Sequence, residues 1–193
     1  TFGRGGHSRH LLQRLSASER LLAIDRDPDA TSAANLIAAK DQRFTFTQAR
    51  FSELGKVLAQ RGIEHVDGIL LDLGVSSPQL DRADRGFSFN ADGPLDMRMN
   101  PAEGQSAADW LNTAQESDIA NVLWRFGEER QSRRIAREIV AARPLATTLE
   151  LADLVARVAA APKRVLRKHP ATKTFQAIRM HINAETEALD QGL

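Results

Sequence analysis

Leu21-Leu22-Ala23-Ile24-Asp25-Arg26-Asp27-Pro28 places an apolar run, a carboxylate and a helix start within eight residues. The run suits a short buried strand. Asp27 followed by Pro28 supplies an N-cap with proline at the first helical position, which predicts a helix to about Lys40. The alternation continues outward. Ser8 to Leu15 has helical character, Phe44-Thr45-Phe46-Thr47 reads as a strand, and Ser52 is placed to cap a helix to Gln60 that ends near Gly62. Val66-Asp67-Gly68-Ile69-Leu70-Leu71 reads as a further buried strand. Short apolar strands separated by helices imply crossover units, so the predicted fold class is α/β with a doubly wound parallel sheet.

From Pro78 to Gly104 the pattern gives way to a long loop, and its Phe87, Phe89, Leu95, Met97 and Met99 predict that it is ordered. Everything beyond Gly104 reads helical. Thr113 with Glu116 forms a capping-box pattern ahead of Ile119, Val122, Leu123 and Phe126. Further helices are predicted from Glu128 to Ala142, from Thr147 with Glu150 to Ala161, and from Pro170 through Ile178 and Ile182 toward Leu189. The predicted organisation is a ligand-binding α/β part over 1–78, a loop plus an all-helical insertion over 79–177, and a return helix over 178–193. A glycine-rich turn such as the one at Thr1 normally follows a strand, and Asp190-Gln191-Gly192-Leu193 comes directly after a helix. The chain therefore reads as a fragment lacking a first strand and C-terminal strands, expected to work poorly when expressed alone.

With 193 residues, 42% hydrophobic and 26% charged, the composition is that of a soluble globular protein able to bury a core. No apolar run approaches the ~20 residues of a membrane span. The absence of cysteine excludes disulfides, a thiol nucleophile and thiolate metal sites, and it fits a reducing, cytoplasmic setting. A net charge of +1 conceals an asymmetry: residues 119–181 hold 13 Lys/Arg against 5 Asp/Glu, net +8, and the rest hold 13 against 20, net −7.

Three features carry chemistry. In Thr1-Phe2-Gly3-Arg4-Gly5-Gly6-His7-Ser8 the glycines admit positive φ and close ligand approach, and no Gly-Lys-Ser/Thr marks a phosphate loop. The alternative is a plain helix entry, with His7 either a turn residue or a ligand contact. Asp25, about 20 residues on at a strand end, stands where nucleoside-binding folds place a ribose-holding carboxylate; Asp27 already fills the cap role. Asp72, ahead of Gly74 and the Ser76-Ser77-Pro78-Gln79 turn, lies where open α/β sheets bind ligands, or else simply caps its loop. The basic helices add Arg130, Arg133, Arg134 and Arg137 at i, i+3, i+4, i+7, then Lys163, Arg164, Arg167, Lys168 and Lys173. With no acidic partner read on that face, this favours phosphate contact over a solvated surface.

Together with Ala23-Ile24-Asp25-Arg26-Asp27-Pro28, Asp67 to Gln79, Arg85-Gly86-Phe87-Ser88-Phe89, Asp92 to Met99, Gly127-Glu128-Glu129-Arg130 and His169-Pro170-Ala171-Thr172, the opening turn resembles the bacterial 16S ribosomal RNA cytosine-N4 methyltransferase family (RsmH, formerly MraW). The resemblance spans nearly the whole chain. It implies a Rossmann-like class I methyltransferase sheet with an inserted helical domain that recognises RNA. The implied reaction is S-adenosylmethionine-dependent N4-methylation of a decoding-region (P-site) cytidine of 16S rRNA in the small ribosomal subunit. It also implies cofactor contacts at Gly5, Gly6, His7, Asp25, Phe51, Asp72 and Gln79. Asp72, Ser76 and Ser77 become catalytic candidates, and the proton acceptor stays open among them. RNA contacts are expected at Arg130, Arg133, Arg134, Arg137, Lys163, Arg164, Arg167 and Lys168. Neither membrane nor metal enters this reading, and the remaining partner expectation is a second copy as a homodimer. Rival readings are a nicotinamide-dependent dehydrogenase, against which the basic insertion argues, and a non-catalytic RNA-binding module. A DNA amino-methyltransferase would need an Asp/Asn-Pro-Pro-aromatic string, which is absent.

Overall fold

The computed structural model describes residues 2–159 and 169–192. It is an α/β arrangement with a small parallel sheet and many helices, and it divides into two compact units, Thr1–Gly74 with Thr186–Leu193, and Val75–Glu185.

In the first unit, α1 (Gly6–Leu12) follows the glycine turn and leads to β1 (Leu21–Asp25). The Asp27 carboxylate accepts the Asp29 amide at 2.9 Å and starts α2 (Pro28–Ala38), as its cap sequence predicts. β2 (Phe44–Gln48) pairs in parallel with β1, Leu21 opposite Phe44 and Asp25 opposite Gln48. A small core of Phe2, Leu12, Ala23, Ala30, Ala33, Ala34, Ile37 and Phe44 lies against this pair. Arg43 ties its edge down, donating to the Leu12 and Leu15 carbonyls at 2.8 and 2.6 Å and to Asp41 at 2.6 Å. The hydrogen bonds from the Arg43 side chain and amide lower the Asp41 carboxyl to about 2.

A 3-10 turn (Phe51–Glu53) precedes α3 (Leu54–Gln60). Ser52 lies inside that turn and caps nothing; Glu53 supplies the local bond instead, accepting the Arg50 amide at 3.1 Å. The strand predicted at Val66–Leu71 does not form. No ladder runs through it among the described residues, and Ile69 and Leu70 are 61% and 60% exposed. An apolar run becomes a strand only where a neighbour takes its amides and carbonyls and a layer covers its faces.

The second unit opens with α4 (Ser77–Asp81) and a 3-10 turn (Ala83–Arg85), so the predicted loop contains short helical turns. α5 (Ala107–Thr113) follows, and Thr113 is its last residue, donating back to the Asp109 carbonyl at 2.7 Å. The capping box belongs to Ser106 and Asp109, one helix earlier than predicted, and Gln115 occupies the cap position of α6 (Glu116–Gly127). α7 (Ser132–Ala141) packs against α6, and α8 (Thr148–Val158) starts from Thr147 with Glu150 as predicted. α9 (Thr172–Ile182) also packs on α6. The long helix predicted toward Leu189 breaks at Asn183 and Ala184, the latter at φ 48°, before α10 (Glu185–Gly192).

The core of this unit takes Leu111, Ile119, Leu123, Ile135, Ile139, Leu151, Val155, Phe175 and Ile178 from five helices. The loop over 85–99 is ordered against it. Phe87, Leu95 and Met97 are fully buried, and the Arg179 guanidinium donates to the Phe87 carbonyl at 2.8 Å. Burial draws that guanidinium below its ordinary value, opposed by Glu185. Asn183 accepts the Met99 amide at 2.8 Å and donates to the Met97 carbonyl at 2.8 Å.

Candidate functional site

Five residues lift the chain from Phe2 to Gly6, and Gly5 turns it at φ 74°. A Cβ there would lie 2.6 Å from Ile37 Cδ1 and 2.8 Å from Phe2 Cζ, so both backbone and packing require glycine. A Cβ on Gly6 would meet nothing within 4 Å, leaving its side of the turn open to a ligand.

Asp25, at the carboxyl end of β1, is buried directly beneath. Its Oδ2 accepts the Phe2 and Gly3 amides at 3.0 and 2.8 Å, and its Oδ1 accepts the Asp27 amide at 2.9 Å. The carboxylate therefore shapes the glycine turn, a task that the sequence reading did not foresee. A carboxylate offers about four acceptor positions, and one on Oδ1 is left for a hydroxyl by these three bonds. The chemistry of the donor set thus fits a nucleoside ribose.

His7 Nε2 lies 3.5 Å from Asp72 Oδ2, with both side chains more than half exposed. The sequence motifs at the glycine turn and at Leu70–Gln79 are thereby joined across 65 residues. Phe51 is half-buried at the start of the 3-10 turn. In the second unit, Ser76 occupies the cap position of α4, Ser77 is exposed, and Gln79 is buried with its Oε1 accepting the Ser76 amide at 2.8 Å.

Of the basic residues, Arg133, Arg134 and Arg137 are exposed on α7. Arg130 is exposed too but sits in the turn before the helix, so the four do not form one helical stripe. The face also holds an acidic partner, since Arg137 Nε lies 3.9 Å from Glu116 Oε1. Lys163, Arg164, Arg167 and Lys168 lie outside the described residues. Lys173 is exposed on α9 and donates to the Glu128 carbonyl at 3.2 Å. Sequence reasoning missed Trp124, which stands off the apolar stripe of α6 at 61% exposure. The residue's offset from Ile119, Val122 and Leu123 was the available signal.

Among the described residues no group of three His, Cys, Asp or Glu could hold a metal, and no helix is long and apolar enough to cross a membrane. A family model described as the MraW methylase family matches residues 1–193. Ribosomal RNA small subunit methyltransferase H of Alcanivorax borkumensis is 57% identical over 196 residues. The alignment covers 100% of this chain and 62% of that relative.

Proposed function

Because the chain belongs to the MraW methylase family, we propose that its protein is a methyltransferase that uses S-adenosylmethionine to methylate N4 of a decoding-region (P-site) cytidine in 16S rRNA of the small ribosomal subunit. In this reading residues 1–78 are part of a doubly wound class I methyltransferase sheet, 79–177 are a loop and helical insertion that recognises RNA, and 178–193 return to the methyltransferase part. The observation that carries it is the Asp25 carboxylate at the end of β1 gripping the glycine turn through the Phe2 and Gly3 amides.

S-adenosylmethionine, when bound, supplies an electrophilic methyl group on a sulfonium. The chain's residues do the rest. The Gly5 turn and the open side of Gly6 admit the nucleoside against the backbone. Asp25 accepts a ribose hydroxyl on Oδ1 while holding the turn, and Phe51 lies against the adenine. His7 and Asp72 line the methionine end, and Gln79 is assigned to the cofactor by family resemblance.

The amino nitrogen of cytosine is a weak nucleophile, since its lone pair is delocalised into the ring. Catalysis then consists of aligning that nitrogen with the methyl group and accepting hydrogen bonds from it as it becomes tetrahedral. Asp72, Ser76 and Ser77 are the candidate acceptors. The base must be unstacked to be presented this way, which suits a looped RNA site. Arg130, Arg133, Arg134 and Arg137 meet phosphates.

Incubating the intact protein with small subunits lacking the modification and methyl-labelled S-adenosylmethionine tests this reading. Label should appear as N4-methylated cytidine at one decoding-region nucleotide. Label on another base, or on protein, would reject it.

A further inference from the structure

The two tryptophans of the chain have opposite surroundings. Trp110 is buried and its ring centroid lies 4.4 Å from that of His181. Trp124 is 61% exposed at the end of α6, although Ile119, Val122 and Leu123 of the same helix are buried. An exposed indole forgoes a large apolar burial, so its neighbours show what it is suited to meet.

Five cations gather at this end of α6, and the exposed Glu128 carboxylate follows Trp124 by one helical turn. The Glu128 amide donates to the Trp124 carbonyl at 3.0 Å, and the Lys173 ammonium donates to the Glu128 carbonyl at 3.2 Å, which sets Lys173 beside the last turn of α6. Arg125 is exposed next in sequence, its guanidinium 5.2 Å from the Phe126 ring centroid. The short connection over 128–131 returns the chain along α6, so exposed Arg130, Arg133 and Arg134 stand at the same end of this helix pair as Trp124. Two carboxylates, Glu128 and Glu129, share that connection, and Glu129 is engaged in it by accepting the Gln131 amide at 3.0 Å. Among the described residues of this unit the other large exposed apolar side chain is Leu149, at the start of α8. Trp124 is thus an exposed indole at a helix end that holds five cations and two carboxylates, whereas a protein partner would select a contiguous apolar patch.

We propose that Trp124 is a stacking platform for an unpaired RNA base whose flanking phosphates are met by Arg125, Arg130, Arg133, Arg134 and Lys173. The proposal rests on the RNA-binding reading above and adds a base contact that charge alone does not provide. An indole face accepts any base, so the contact strengthens binding without reading sequence.

The test uses the intact protein and a dye-labelled single-stranded oligouridylate, with affinity measured by anisotropy at several salt concentrations. Trp124→Ala should weaken binding roughly tenfold or more while leaving the salt slope unchanged. Trp124→Phe should retain most of the affinity. Arg133→Gln combined with Arg134→Gln should flatten the slope. Salt-dependent binding indifferent to Trp124→Ala would overturn the stacking proposal and leave the RNA reading standing. An absence of salt-dependent RNA binding would overturn both. A loss seen with assembled subunits but not with the oligonucleotide would place a protein against Trp124, and would also overturn the proposal.

Discussion

Thr1–Gly74 and Val75–Glu185 each hold a loop in a defined shape, and they do so over very different foundations. In the first, one carboxylate grips the glycine turn above a two-stranded sheet, and the core beneath is rich in alanine. In the second, Arg85, Arg179 and Asn183 bond the loop over 85–99 against large apolar side chains drawn from five helices. Helices close their own hydrogen bonds and need only a covered stripe, so a helical unit completes itself from local pattern. A strand depends on partners distant in sequence. The exposed Ile69, Leu70 and Leu73 show what the same apolar composition does without one.

Substitutions can break this contrast. The largest effect is expected in the second unit, where Leu123→Ala empties a fully buried position in the centre of the core. It should cost about 2–5 kcal/mol. Urea unfolding read by tryptophan fluorescence checks it, since both tryptophans belong to this unit. Next comes Asn183→Ala, which leaves the buried Met99 amide and Met97 carbonyl without that partner. A loss of about 1–3 kcal/mol per orphaned group, reduced by whatever water can enter, should appear in the same measurement. The smallest effect belongs to the first unit. Leu70→Ala removes a side chain that is 60% exposed and should change the stability of this chain by less than about 0.5 kcal/mol. Thermal melting followed by ellipticity checks that value, and a cost near that of Leu123→Ala would erase the contrast.

Legibility in the sequence follows the same divide. β1, α2 and β2 could be read because a cap and short apolar runs specify them locally. The strand expected at Val66–Leu71 was read from its apolar run alone, and such a run does not show whether another strand pairs with it. The stretch beyond Gly104 reads as helical, but the start of α5 at Ser106 and Asp109 is passed over for Thr113 and Glu116, whose capping-box pattern falls at the end of α5 and the start of α6. The glycine turn, Asp25 and Asp72 stand out in the sequence as candidates, whereas the 3.5 Å approach of His7 to Asp72 needs coordinates. Asp25 was read as free for a ligand, and only the structure shows its oxygens bonded to three amides.

In the proposed function Asp25 of the first unit holds the cofactor's ribose, and the α7 arginines of the second unit meet RNA phosphates. Calorimetric titration of S-adenosylmethionine into the intact protein tests this division most directly, comparing Asp25→Ala with the combined Arg133→Glu, Arg134→Glu and Arg137→Glu variant. Asp25→Ala should lower affinity by about 1.5–3 kcal/mol, through lost charge-assisted hydrogen bonds and a loosened glycine turn. The arginine variant should bind the cofactor as the parent does. Unchanged affinity in Asp25→Ala, or a comparable loss in the arginine variant, would contradict the division.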